Sequence, residues 1–174
     1  MRKIISLIIM LWLTLFVRNA VSLELPQIGK PAPNFALTDL NGKKVSLSEY
    51  KGKVVILNFW ATFCGPCKEE MPSLNNLFIQ FKKDGLIVLA VSTDDSEKPV
   101  QSFIKVKGIT FTVLIDKDQQ VFFDRYAVLG LPTTYIIDRD GIIREKILGD
   151  RPWDGPDMKA KIGALLSKSR KDGK

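Results

Sequence analysis

Two stretches of the chain are apolar without interruption. Val54 to Trp60 reads VVILNFW and Leu86 to Ser92 reads LIVLAVS. Runs of this length without alternation predict strands buried on both faces. Between them Met71, Leu74, Leu77, Phe78 and Phe81 recur at helical spacing, which predicts a helix from about Gly65 to Lys83, ended by Gly85. Pro72 falls inside that helix and cannot donate to the carbonyl of Lys68, so a kink is expected there. Upstream, Phe35 to Leu40 and Lys43 to Leu47 flank Asn41-Gly42, a hairpin signal, because Asn-Gly supplies the positive φ of a tight turn. Downstream, residues 96–107 read as an amphipathic helix with Val100, Phe103 and Ile104 inward. Phe111 to Ile115 reads as a short strand and Gln119 to Tyr126 as a short helix. Thr133 to Asp138 and Ile142 to Leu148 flank a second turn at Arg139-Asp140-Gly141, and a last helix runs from about Asp157 to Lys168. Strands alternating with helices, closed by a hairpin and a helix, predict one α/β domain: a central mixed β-sheet flanked by helices, with an N-terminal β-hairpin extension.

The first 22 residues break this pattern. Arg2 and Lys3 precede fourteen uncharged residues, Ile4 to Val17, followed by Arg18, Asn19 and the small Ala20 and Ser22. A basic start, a short apolar run and small residues at a cleavage position are the features of an export signal. Fourteen helical residues reach about 21 Å, short of a hydrocarbon core of about 30 Å. A cleaved signal peptide is therefore the first reading of residues 1–22, and an uncleaved membrane anchor the second. Either places the folded part outside the cytoplasm, periplasmic or otherwise extracytoplasmic. Residues 23–34 form a Pro-containing lead-in, 35–168 the domain and 169–174 a basic tail.

Charge and composition narrow the chemistry. The net charge of +7 is unevenly placed. Residues 1–22 carry three basic groups and no acid, 23–156 carry 17 basic and 17 acidic, and 157–174 carry six basic and two acidic. The domain is thus balanced, which argues against nucleic-acid binding. The chain has no histidine, so His-based catalysis and His-ligated zinc or haem are excluded.

The chemistry is expected at Trp60-Ala61-Thr62-Phe63-Cys64-Gly65-Pro66-Cys67-Lys68, where a buried strand runs into a helix. Cys64 is placed at the helix N-terminus, whose free N–H groups and dipole favour a thiolate. Cys67 is one turn further, close enough to close a small ring with it. Pro66 is tolerated in a first turn, where its missing N–H costs nothing, and Gly65 leaves the approach to the sulfurs open. A zinc site needs four ligands, and only two cysteines are present. A purely structural disulfide over so short a loop adds little constraint. A dithiol–disulfide redox centre needing no cofactor is the reading these residues support best.

NFWATFCGPCKEEMP together with LGLPTTYIIDRDG resembles the thioredoxin-like superfamily. More narrowly it resembles the exported TlpA/ResA/CcmG-type thiol–disulfide oxidoreductases, relatives of the AhpC/TSA redoxins. The resemblance spans about residues 28 to 168 and implies a thioredoxin-like fold. It implies that Cys64 attacks and Cys67 resolves, and that Pro132 is the cis-proline facing the pair, with Leu131 offering its backbone to an extended substrate. It implies that Glu70, on the face of Cys67, moves protons during exchange, and that Trp60 packs beside the site. With Phe63, Gly65 and Pro66, these residues make up the expected substrate surface. Two residues depart from pattern. Asn58 stands where thioredoxins proper carry a buried, titrating aspartate, which shifts weight to Glu70. Phe63 replaces the usual tryptophan before the first cysteine.

The resemblance also implies substrates and partners. The expected activity is disulfide reduction in exported proteins, with apocytochrome c as leading substrate, a membrane thiol transporter as electron donor and a monomeric enzyme. A dithiol oxidase on the same fold is one alternative. A peroxiredoxin-like peroxidase is another, although only Thr62 of its expected proline, threonine and arginine set lies near Cys64. A binding-only module delivering haem or metal is a third.

Overall fold

A computed structural model describes residues 25–168. The signal or anchor reading of residues 1–22 and the basic tail at 169–174 lie outside them. Among the described residues no helix is long and apolar enough to cross a membrane.

Seven strands form one mixed sheet: β1 (Ala36–Asp39), β2 (Lys44–Ser46), β3 (Val54–Trp60), β4 (Leu86–Ser92), β5 (Thr112–Ile115), β6 (Thr133–Ile137) and β7 (Ile143–Leu148), in the order β2-β1-β5-β4-β3-β6-β7. Three α-helices accompany them, α1 (Gly65–Phe81), α2 (Glu97–Lys107) and α3 (Pro156–Ser167). β3 lies between parallel β4 and antiparallel β6. α1 and α2 are the crossovers that let β3, β4 and β5 run parallel.

Period-two alternation along β3 divides the core. Val54, Ile56 and Trp60 point to the face covered by Met71, Leu74 and Leu77 of α1, Val100 of α2, and Met158 and Ile162 of α3. Val55, Leu57 and Phe59 point to the other face, with Phe35, Leu47, Phe122, Tyr126 and Tyr135. All three α-helices therefore share one face. The second face is closed by the lead-in, a 3-10 turn at Leu47–Tyr50 and a π-helical turn at Gln120–Arg125, where a short helix was expected. Buried Asp116 accepts the amides of Val121 and Phe122 and so fixes that turn. α1 continues through Pro72, whose ring faces solvent.

The hairpin forms where Asn41-Gly42 predicts it. Gly42 has φ +80°, and Asp39 Oδ1 accepts the amides of Asn41 and Lys43. Both sheet edges are guarded. β2 has only three residues, and β7 carries Arg144, Glu145 and Lys146 in succession. The start of β7 is also covered by the lead-in, through Gly29 N–H to Ile143 O, Ile143 N–H to Lys30 O and a bridge between Pro31 and Ile142.

Arg139 ties three segments together at the end of the sheet where β3 begins. Nη1 donates to Gly52 O at 2.6 Å, and Nη2 donates to Asp84 O at 3.1 Å and Leu166 O at 2.8 Å. The last contact closes the C-terminal end of α3, whose final carbonyls have no helical partner. Arg139→Ala is expected to lower unfolding free energy by about 2 kcal/mol, because charged donors to carbonyls are among the stronger hydrogen bonds. Urea denaturation checks this, and an unchanged midpoint would show that the three bonds contribute nothing net.

Candidate active site

β3 ends at Trp60 and the chain turns through Ala61-Thr62-Phe63 into α1. Asp94, just past β4, anchors this turn. Its carboxylate accepts Thr62 N–H at 2.9 Å, the Thr62 hydroxyl, and the Ser92 hydroxyl at 2.7 Å. Thr93 N–H donates to Trp60 O. The segment before the first cysteine is thus fixed to the neighbouring strand.

Cys64 is the N-cap of α1, with extended backbone, and its sulfur accepts Cys67 N–H at 3.2 Å. The two cysteines form a disulfide, with Cα atoms 5.3 Å apart. Cys64 is 8% exposed and Cys67 is fully buried. Of the two, only Cys64 reaches the surface. An amide aimed at it, at the positive end of a 17-residue helix, favours negative charge on Cys64 once the bond is reduced.

Glu70, one turn past Cys67, is 3% exposed. It is a buried carboxylate, not a solvated helix residue. Oε1 accepts Asn58 Nδ2 at 2.8 Å and Oε2 accepts Trp153 Nε1 at 2.8 Å. Burial pushes its pKa above the ordinary carboxylate range. The bonds from Trp153 and Asn58 and the Arg151 amide pull it partly back, and the Asp150 charge adds to the upward push. Asn58 spends its second N–H on Thr134 Oγ1 at 2.9 Å. It does not titrate, and its place here is to hold Glu70.

The residues expected at a substrate surface divide. Phe63 is 76% exposed, Gly65 and Pro66 are exposed and Leu131 is half-buried. A Cβ on Gly65 would meet no atom within 4 Å, so the space at this position between the two cysteines in sequence is open. Trp60 is corrected. Its position in β3 turns it inward onto Phe103, ring centroids 5.3 Å apart, and it is fully buried. It supports the site from beneath and offers no surface to a partner. Pro132 is buried as well. The Leu131–Pro132 peptide is cis, and Pro132 O accepts Gly149 N–H. Because β6 is antiparallel to β3, with Thr133 beside Phe59, this proline stands at the same end of the sheet as the disulfide. Leu131 N–H and C=O have no hydrogen-bond partner among the described residues. Beside them lies a cavity of about 330 Å³ lined by Leu129, Leu131, Pro132, Lys146 and Leu148.

Three contributors escaped the sequence reading: Trp153, Thr134 and Asp94. Trp153 had a usable signal, a lone tryptophan in the polar stretch Arg151-Pro152-Trp153-Asp154-Gly155-Pro156. A buried indole seeks an acceptor for its N–H. Among the described residues no cluster of His, Cys, Asp and Glu could hold a metal ion.

A buried parallel strand running into an N-capping cysteine, with its partner one turn on and a cis-proline at the same end of the sheet, defines a thioredoxin-like thiol–disulfide oxidoreductase. Comparison with known proteins agrees. The AhpC/TSA family model matches residues 28–146. Thiol-disulfide oxidoreductase ResA of Bacillus thuringiensis (strain Al Hakam) is 45% identical over 128 residues, 74% of this chain and 73% of that protein. ResA of Bacillus subtilis (strain 168) is 45% identical over 121 residues, 70% of this chain and 67% of that protein. The solved thioredoxin domain of a thiol-disulfide oxidoreductase from Bacteroides vulgatus superposes with a TM-score of 0.72 at 28% identity, covering 81% of this chain and 99% of that one. A thiol:disulfide interchange protein of the thioredoxin family from Chlorobium tepidum TLS gives 0.70 at 26% identity, covering 81% and 99%. The chain belongs to the AhpC/TSA family, and within it to the ResA-type thiol–disulfide oxidoreductases.

Proposed function

We propose that the protein works outside the cytoplasm, mainly as a reductant of disulfides in exported proteins. The observation that carries this is the inequality of the two cysteines: Cys64 slightly exposed and its sulfur capped by an amide, Cys67 fully buried, with the buried carboxylate of Glu70 one helical turn on. In the reduced enzyme the Cys64 thiolate attacks one sulfur of a substrate disulfide, and the other leaves as a thiolate. Cys67 gives its proton to ionised Glu70 and attacks the Cys64 sulfur of the mixed disulfide. The second substrate sulfur is expelled and takes up a proton. Two electrons have passed to the substrate, and the Cys64–Cys67 bond remains.

The free N–H and C=O of Leu131 support pairing with an extended substrate segment, in the manner of strand addition. Exposed Phe63, Leu129 and Leu148 supply apolar contact around it. Apocytochrome c, whose haem-site cysteines must be reduced before attachment, is the leading substrate. A membrane thiol transporter returns the enzyme to the dithiol state, and the enzyme acts as a monomer.

Trapping tests this reading. Cys67→Ser removes the resolving thiol, so mixed disulfides on Cys64 are expected to accumulate in cells and to run as adducts that collapse on reduction. Mass spectrometry of the adducts names the substrates. If exported cysteine-pair proteins are missing from them, the substrate assignment fails.

A further inference from the structure

A second buried carboxylate lies behind the turn that carries the attacking cysteine, and the exchange chemistry does not consume it. Asp94 is 7% exposed. Oδ1 accepts the Thr62 hydroxyl, and Oδ2 accepts the Thr62 amide at 2.9 Å and the Ser92 hydroxyl at 2.7 Å. The Asp94 amide donates back to Ser92 Oγ at 3.1 Å, which leaves that hydroxyl's proton for the carboxylate. All of these partners are neutral. Among the described residues the ion pairs are Arg144 with Asp138 and Lys161 with Glu145, so no cation is paired with Asp94. The charged side chains nearest in sequence are Asp95 and Lys98 after it, and Lys68, Glu69 and buried Glu70 on α1 beside the cysteines. None of them is bonded to Asp94.

Cys64 belongs to the same turn as Thr62. Its amide donates to Ala61 O at 3.1 Å, and two residues of chain span at most about 7 Å. A thiolate on Cys64 therefore meets two opposing influences from Asp94. Thr62 carries two donors close to the sulfur in the chain, and the carboxylate takes both. Pro66 has no N–H to add, so the sulfur is left with the single amide of Cys67. The carboxylate, shielded from water and without a cation, also repels negative charge nearby. Both influences work against the pull of the helix N-terminus.

We propose that Asp94 is a positioning residue that limits the stability of the Cys64 thiolate and so keeps the dithiol strongly reducing. A dithiol whose thiolate is well stabilised holds its electrons, and one whose thiolate is less favoured releases them. Asp94 acts through Thr62 and through its own charge. The proposal rests on the reductant role and assigns the residue that tunes it.

Asp94→Asn tests it, because the variant keeps the side-chain shape and an oxygen for the Thr62 amide but loses the charge. Equilibration against reduced and oxidised glutathione, at a pH where Cys64 is ionised, is expected to shift about tenfold toward the dithiol, about 30 mV in potential. Alkylation of Cys64 by iodoacetamide is expected to reach its full rate at lower pH than in the wild type. Asp94→Ser, a smaller neutral acceptor, is expected to shift both readouts the same way, so the test does not depend on one variant folding. Thr62→Val removes a hydroxyl and leaves the charge, and its equilibrium is expected to stay within threefold of the wild type. Folded neutral variants that shift less than threefold, or toward the disulfide, overturn the proposal. So does a larger shift in Thr62→Val, which would assign the effect to the rigidity of the turn. The reductant reading fails separately, if the wild-type disulfide is itself fully reduced by glutathione.

Discussion

Cys64→Ser is expected to slow reduction of a protein disulfide by at least about 1000-fold, roughly 4 kcal/mol of barrier, with folding of the reduced protein nearly unchanged. Serine is itself a strong N-cap, so its hydroxyl can accept the Cys67 amide as the sulfur does, and α1 keeps its start. What is lost is an ionisable nucleophile at that amide. Stopped-flow reduction of insulin by the pre-reduced variant measures the rate, and circular dichroism checks the fold. A variant that folds and keeps a tenth of the wild-type rate would remove Cys64 from the attacking role.

Glu70→Gln is expected to slow resolution of the mixed disulfide about 100-fold at neutral pH, the scale of a positioned general base. The same change alters stability with pH, and the sign follows from burial. Glu70 is held above its ordinary value of 4.5, so the folded protein keeps this proton where the unfolded chain has released it. The group's contribution to stability is greatest below about 4.5 and declines as pH rises towards its raised value. Denaturation across this range is expected to lose that decline in Glu70→Gln. Trp153→Phe separates proton chemistry from packing. It removes a hydrogen bond that favours the carboxylate, so Glu70 should hold its proton to higher pH and the pH–rate curve for resolution should move upward. A pH–rate curve that stays in place would assign Trp153 to packing alone.

Much of this arrangement is legible in the sequence because burial there is continuous. β3 and β4 coincide with VVILNFW and LIVLAVS, since strands covered on both faces need apolar side chains at every position. Asn58 inside the first run is legible as a residue that cannot titrate, which points to Glu70. The partner side chains were not legible. Glu70 is twelve residues from Asn58 and 83 from Trp153, and only the pairing of sheet, helix and closing loop brings them together. A lone glutamate on a helix reads as solvated until its neighbours are known. The family resemblance puts Trp60 among the substrate-surface residues, whereas strand alternation turns it onto α2. The turn at Gln120–Arg125 takes π form because Asp116 captures two of its amides, a contact that helical periodicity does not report.

The protected sheet margins bear on how such an enzyme meets its clients. Chains that still need cysteines reduced are incompletely folded, and their loose extended segments add readily to any bare ladder. A three-residue strand at one margin and a charged, partly covered one at the other discourage that contact. On the proposed strand pairing at Leu131, client segments would be left with that backbone as their point of attachment, and non-productive adhesion that competes with turnover would be suppressed.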